Sequence, residues 1–197
     1  MPRPPSRRLT PSSAVLAAIA VLAPTAGCVI DELQVDDVGE APYCEPAATW
    51  PREYAELEAS LLERIATVRR QGRSCGDVHH NPVTAFELQP QLHCAARLHA
   101  TFVAEHTGLS HEGQDGSTPL SRAAQAGYDG APRYELLARD YEGAGAVLQA
   151  WLEDPQHCDA LFDNTIREIG VGHSRSGPPA LSDRDGIGWV IVLGERK

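Results

Sequence analysis

The sequence predicts an α+β fold, with about four helices packed on a small antiparallel sheet. Two observations carry this expectation. Apolar residues recur at helical spacing between residues 49 and 153, and the period then changes to the alternation and short apolar runs of strands after residue 165. Helices gathered first and strands gathered late point to segregated layers rather than alternating βα units.

The first 27 residues read as a segment removed before folding. Arg3, Arg7 and Arg8 form a basic start, and residues 14–23 (AVLAAIAVLA) form an apolar run too short to span a bilayer. Small residues Ala26 and Gly27 precede Cys28 in the order of a bacterial lipobox, with Thr25 where Leu is usual. The expectation is a lipoprotein-type signal peptide over 1–27, with Cys28 lipidated. Val29 follows Cys28 instead of the Asp that holds some lipoproteins at an inner membrane, so a Gram-negative host would carry the protein at its outer membrane or cell surface. Residues 28–48 are acidic and poor in large apolar side chains, which predicts a mostly irregular tether. The domain itself is expected over 49–197.

A first helix is expected from about Thr49, with Pro51 in its first turn. Tyr54, Leu57, Leu61, Leu62, Ile65 and Val68 form its apolar stripe, and Gly72 closes it. The loop RSCGDVHHNPVT follows, in which His79 and His80 read as an exposed turn before Pro82 rather than a metal pair. A second helix is expected over about 89–105. Ser117 reads as the cap of a third, with Pro119 near its start and Gly127 beyond its end. The stretch GAPRYELLARDY reads as extended or weakly helical, 143–153 as a fourth helix, and Pro155 as its stop. Residues 165–173 and 186–195 read as strands joined by a long polar hairpin loop, where Asp183 and Asp185 are taken as solvated.

Charge and cysteines exclude several classes. Cleavage before Cys28 removes three Arg and no acid, moving the net charge from −10 to −13. So acidic a body is a poor partner for nucleic acid or an anionic membrane surface. Any attachment to a membrane would run through the lipid at Cys28. Cys44, Cys75, Cys94 and Cys158 lack zinc-finger spacing; an even number in an exported chain predicts two disulfides, with three pairings open. No G-x-S-x-G elbow, P-loop, Rossmann glycine pattern or haem motif is present.

Several short motifs then fall in a recognisable order. They are Ser110-His111, Asp115-Gly116, Arg122, Ala126-Gly127-Tyr128, Glu135, Trp151, Pro155-Gln156-His157 and Gly170-Val171-Gly172. In this order and spacing the chain resembles the CAP superfamily of cysteine-rich secretory, antigen 5 and pathogenesis-related proteins, in its bacterial branch, over roughly residues 50–194. The resemblance implies an α-β-α sandwich. It also implies a cleft formed by His111, Glu135 and His157, with Asp154 as the second acid, and the disulfides Cys75–Cys158 and Cys44–Cys94. The chain departs from the family pattern at Tyr134-Glu135-Leu136, where Gly-Glu-Asn is usual, and at DPQH, where SPGH is usual.

Two neutral imidazoles a ligand's width apart suit a divalent metal such as zinc, which makes His111 and His157 the candidate ligands. The same set can move protons, with Glu135 as the candidate base. The expected function is a binding module for a small ligand, lipid, envelope component or metal. The alternatives are a metal-assisted, peptidase-like hydrolase in the same cleft, or a structural envelope protein with a vestigial cleft. His99, on the second helix, reads as a packing residue.

Overall fold

The computed structural model describes residues 1, 37–177 and 186–196, and every element below belongs to the unit Leu33–Lys197. Cys28, Asp183 and Asp185 lie outside the described residues, as do the expected signal peptide and the first part of the tether. No helix among the described residues is long and apolar enough to cross a membrane.

The chain runs through a 3-10 turn (Pro42–Cys44), α1 (Glu45–Ala48) and α2 (Arg52–Gln71) to a small hairpin of β1 (Arg73–Cys75) and β2 (Val78–His80). A short β3 (Glu87–Leu88) leads into α3 (Pro90–Glu105) and α4 (Pro119–Gln125). Then come β4 (Ala131–Arg139), α5 (Ala144–Glu153), α6 (Pro155–Phe162), β5 (Glu168–Arg175) and β6 (Ile187–Glu195). The main sheet has the order β3-β5-β6-β4. Its three long strands are antiparallel neighbours, and only the two-residue edge strand β3 runs parallel to its partner β5.

Helices cover both faces of this sheet. On one face, Leu92, Ala96, Ala100 and Val103 of α3 and Ala123 of α4 pack on Leu137, Val190 and Val192. On the other, Leu61 and Ile65 of α2, Trp151 of α5 and Phe162 of α6 pack on Leu136, Val171, Trp189 and Ile191. The result is an α-β-α sandwich.

Four local expectations need correction. The tether is not irregular to residue 48: Val38, Cys44 and Ala47 are buried against Cys94 and Ala126, and Cys44 is bonded to Cys94. Pro155 ends α5 but also opens α6, because a proline at the first helical position gives up only an N–H that would have had no partner. Thr118, not Ser117, caps α4, in a reciprocal capping box with Ser121. His79 and His80 are strand residues of the β1–β2 hairpin rather than a turn, and only His79 is exposed.

One contact sets the distance between α3 and the sheet. Gly170, Gly172 and Gly188 present bare backbone to the helix, where added Cβ atoms would fall 2.1 Å, 2.2 Å and 2.1 Å from the carbonyl oxygens of Leu92, Ala96 and Ala100. Those three helical residues are spaced four apart, so they form one ridge along α3. The strand backbone lies directly against that ridge, with no side chain between.

A buried polar cluster fastens α2 to the same assembly. The Glu58 carboxylate, wholly buried, accepts from Arg97 Nη2 at 2.7 Å, Trp50 Nε1 at 3.0 Å and the His173 backbone N–H at 2.9 Å. Burial pushes Glu58 up to about 7, against the opposing pull of Arg97. Burial likewise pushes the His173 imidazole down to about 4, where it lies 4.1 Å from the Trp189 ring. A neutral His173 is therefore the form that fits this apolar packing.

The glycine face yields a direct test. Gly172→Ala is expected to destabilise the domain by about 1–3 kcal/mol, because neither the Ala96 carbonyl nor the strand can yield without shifting α3. Gly108→Ala, at a position with open space around it, is expected to cost far less. Equilibrium denaturant unfolding of both variants checks the difference; equal stabilities would remove the glycine face as the spacing determinant.

Candidate functional site

The candidate cleft lies along the free edge of β4, an outer strand of the main sheet. It has a volume of about 480 Å³, and its walls include His111, Pro119, Tyr134, Glu135, Leu136 and His157. Three segments meet there: the loop between α3 and α4, the strand β4, and the start of α6.

The loop 106–118 owes its shape to local turn chemistry and to one arginine. Gly116 adopts φ +77, and the Asp115 carboxylate accepts from the Ser117 backbone N–H at 3.0 Å. Arg122, buried on α4, reaches back into the loop. Its Nη2 donates to the His111 carbonyl at 3.0 Å and its Nη1 to the Ser117 carbonyl at 2.9 Å. From α3, His99 Nε2 donates to the Ser110 carbonyl at 2.9 Å. The backbone on both sides of the His111 side chain is therefore held by cations or polar groups from two helices.

Glu135 sits under this loop. Its side chain is 1% exposed, whereas that of His111 is 61% exposed. One carboxylate oxygen accepts from Arg122 Nη2 at 2.7 Å; the other lies 2.8 Å from His111 Nδ1 and 3.7 Å from His99 Nε2. Both oxygens are thus occupied by protein donors. A carboxylate on Nδ1 fixes the imidazole ring and leaves Nε2 as its remaining ligand atom, the arrangement common behind metal-binding histidines. Burial pushes His99 below its ordinary range, opposed by the neighbouring Glu135 charge.

His157 enters from the other wall, in the first turn of α6. Asp154 caps that helix, accepting from the backbone N–H groups of Gln156 at 2.8 Å and His157 at 3.0 Å. Those bonds, the one from His157 foremost, hold its carboxyl below the usual range. Asp154, expected as the second cleft acid, is placed here as the cap of α6. It is absent from the cleft walls, and its oxygen is 3.8 Å from His157 Nδ1. The carboxylate is turned to the helix end, where the orphan N–H groups need an acceptor.

The cleft thus brings together His111, Glu135 and His157. It does not bring a three-ligand metal set together. Among the described residues, the one group of three His, Cys, Asp or Glu ligand atoms within 4.8 Å of one another is Cys75, His80 and Asp159, away from the cleft. A metal in the cleft would have the two imidazoles and draw its other ligands from solvent or a bound molecule.

Leu136, where the family pattern has Asn, is 1% exposed and faces the core with Val171 and Ile191. Tyr134 follows a register shift in β4 and donates from its hydroxyl to Asp163 at 3.0 Å. Arg122 is visible in the sequence as a motif residue, yet nothing in its spacing from Glu135 announces a buried pair. The one available signal is a single arginine on a short helix otherwise made of small, apolar or uncharged residues.

The Arg122–Glu135 pair gives a stability test. Arg122→Met strands a buried carboxylate and frees the loop, an expected loss of about 3–5 kcal/mol. Adding Glu135→Gln is expected to recover part of it, and denaturant unfolding of the double-mutant cycle measures the coupling. Strictly additive losses would mean that the two side chains do not depend on one another.

Known proteins share both the sequence pattern and this architecture. The family described as "CAP: Cysteine-rich secretory protein family" matches residues 62–190. Among solved structures, the chain is similar to an outer surface protein from Borrelia burgdorferi, with 25% identity and a TM-score of 0.56 over 72% of this chain and 94% of that one. It is also similar in fold to an extracellular SCP-domain protein from Bacillus anthracis, with 16% identity and a TM-score of 0.54 over 76% of this chain and 44% of that one. No curated protein matches the chain.

Proposed function

Because the chain belongs to the CAP, or cysteine-rich secretory protein, family, we propose that it is an exported binding module, anchored by lipid at Cys28. Its cleft would take a small ligand, with the ligand's polar end against His111 and His157 and its apolar part against Pro119, Pro132 and Tyr134.

The observation that carries this reading is the state of Glu135. A general base needs a carboxylate oxygen free to reach a substrate proton or a water. Both Glu135 oxygens are instead taken by Arg122 and His111, and the side chain is buried. Its chemistry is to hold an imidazole in place, which serves binding and not proton abstraction. Two imidazoles with a fixed ring at one of them also suit a divalent metal such as zinc, which would supply a Lewis-acidic point for an anionic ligand group. Export is supported by the basic start and apolar run before Cys28 and by the two disulfides. The outer-surface and extracellular descriptions of the similar solved proteins agree with it.

Native mass spectrometry of the full chain incubated with zinc tests the cleft. One zinc per chain is expected, weakened at least about tenfold by His111→Ala and by His157→Ala. Zinc retained equally by both variants would reject the cleft as its site. For the anchor, Cys28→Ala is expected to move the protein from the membrane fraction to the soluble exported fraction; a variant that stays with the membrane would reject lipidation there.

A further inference from the structure

A second cluster of metal-type ligands stands at the junction of the β1–β2 hairpin and α6, apart from the His111 cleft. Cys75 ends β1 and is bonded to Cys158 of α6. His80 ends β2, and its Nε2 lies 2.7 Å from Asp159 Oδ1, the residue after Cys158. The His80 ring also stacks on Phe162, one helical turn further along α6, with centroids 5.5 Å apart. Ligand atoms of Cys75, His80 and Asp159 all lie within 4.8 Å of one another.

While the disulfide stands, neither sulfur can act as a thiolate ligand. Its removal would change the chemistry of the junction completely. We propose that, in the dithiol state, this junction binds one zinc ion through Cys75, Cys158, His80 and Asp159. Two thiolates, an imidazole and a carboxylate make a four-ligand set of the kind that zinc takes tetrahedrally. The imidazole and carboxylate already face one another with the Cys75 sulfur close to both; the Cys158 sulfur lies outside that group and has to turn toward it once the bond is opened.

The conversion is a thiol–disulfide exchange. A dithiol reductant gives two electrons and two protons to the Cys75–Cys158 bond and is itself oxidised to a disulfide. Zinc then displaces the two thiol protons into solvent and takes the place of the proton between His80 Nε2 and Asp159 Oδ1, which moves to Nδ1 of the imidazole or, from a charged ring, to solvent. Access does not require global unfolding. The hairpin is a two-stranded ribbon separate from the main sheet, a kind of element with little stability of its own. A cavity of about 410 Å³, with His79, His80, Pro82 and Phe162 in its walls, opens on the imidazole side. The same two elements are thus joined by a covalent bond when oxidised and by a metal when reduced. Among the described residues no comparable group of ligand atoms stands around Cys44 and Cys94.

Cobalt(II), which reports thiolate ligation by a sulfur-to-metal charge-transfer band, is the probe. The full chain carrying His111→Ala and His157→Ala, so that the cleft is silent, is titrated with cobalt after reduction by a phosphine. One equivalent with a charge-transfer band is expected from the reduced chain and none from the oxidised chain. His80→Ala is expected to weaken binding at least about tenfold. A folded, reduced chain without the band would overturn the proposal, as would a band of unchanged affinity in His80→Ala. If reduction unfolds the chain, zinc is expected to restore its helical circular dichroism through the same four residues. Failure of zinc to do so, or equal recovery in His80→Ala, would equally overturn it.

Discussion

The close approach of α3 to β5 and β6 is the constraint on which the rest of this structure depends. Helix and sheet normally pack through two layers of side chains. Here one layer is missing along the line where Gly170, Gly172 and Gly188 meet the carbonyl ridge of Leu92, Ala96 and Ala100. That spacing fixes how far every other α3 side chain reaches. His93 and Arg97 are brought to Glu58 at one side, and His99 is brought to Glu135 and Ser110 at the other. A helix pushed outward by a single layer of methyl groups would stretch the Arg97–Glu58 and His99–Ser110 hydrogen bonds beyond hydrogen-bonding distance.

The polar interior follows from that geometry. Among the described residues three carboxylate side chains are buried, and each meets an arginine: Glu58 with Arg97, Glu135 with Arg122, and Glu168 with the more exposed Arg196. Buried charges are costly unless paired and fully hydrogen-bonded, so such pairs specify one arrangement of the elements rather than adding much net stability. The Glu58 pair joins α2, α3 and β5. The Glu135 pair joins α4, β4 and the loop that carries His111. The second pair therefore converts the packing of the core into the position of a surface imidazole.

The cleft inherits a division of labour from this arrangement. Its buried carboxylate is a support, and its exposed groups are imidazoles and apolar surface. Asp154, which caps the helix that carries His157, likewise spends its charge on a helix end. An acid that is committed to holding another group has little capacity left to move a substrate proton. That commitment is what supports the proposal of a binding cleft.

The sequence by itself determined the four helices α2 to α5 and the two late strands, because each rests on local periodicity and on punctuation by Pro and Gly; α1 and α6 were not legible in it. Motif order pointed to the family and to His111, Glu135 and His157. Tertiary structure decided what local pattern does not encode. GAPRYELLARDY became the edge strand β4 because β6 offered a free edge for it. Glu58, on the apolar stripe of α2 but charged, was hidden in a helical pattern that counts only apolar residues; its partners lie 39 and 115 positions away. Arg122 and Glu135, 13 apart, are joined only because α4 folds back over the start of β4. Asp154 shows the converse case, where the same carboxylate suits a cleft or a cap and sequence alone does not choose. Long-range pairing of polar groups depends on which backbones approach one another, and here that was set by the glycines facing α3.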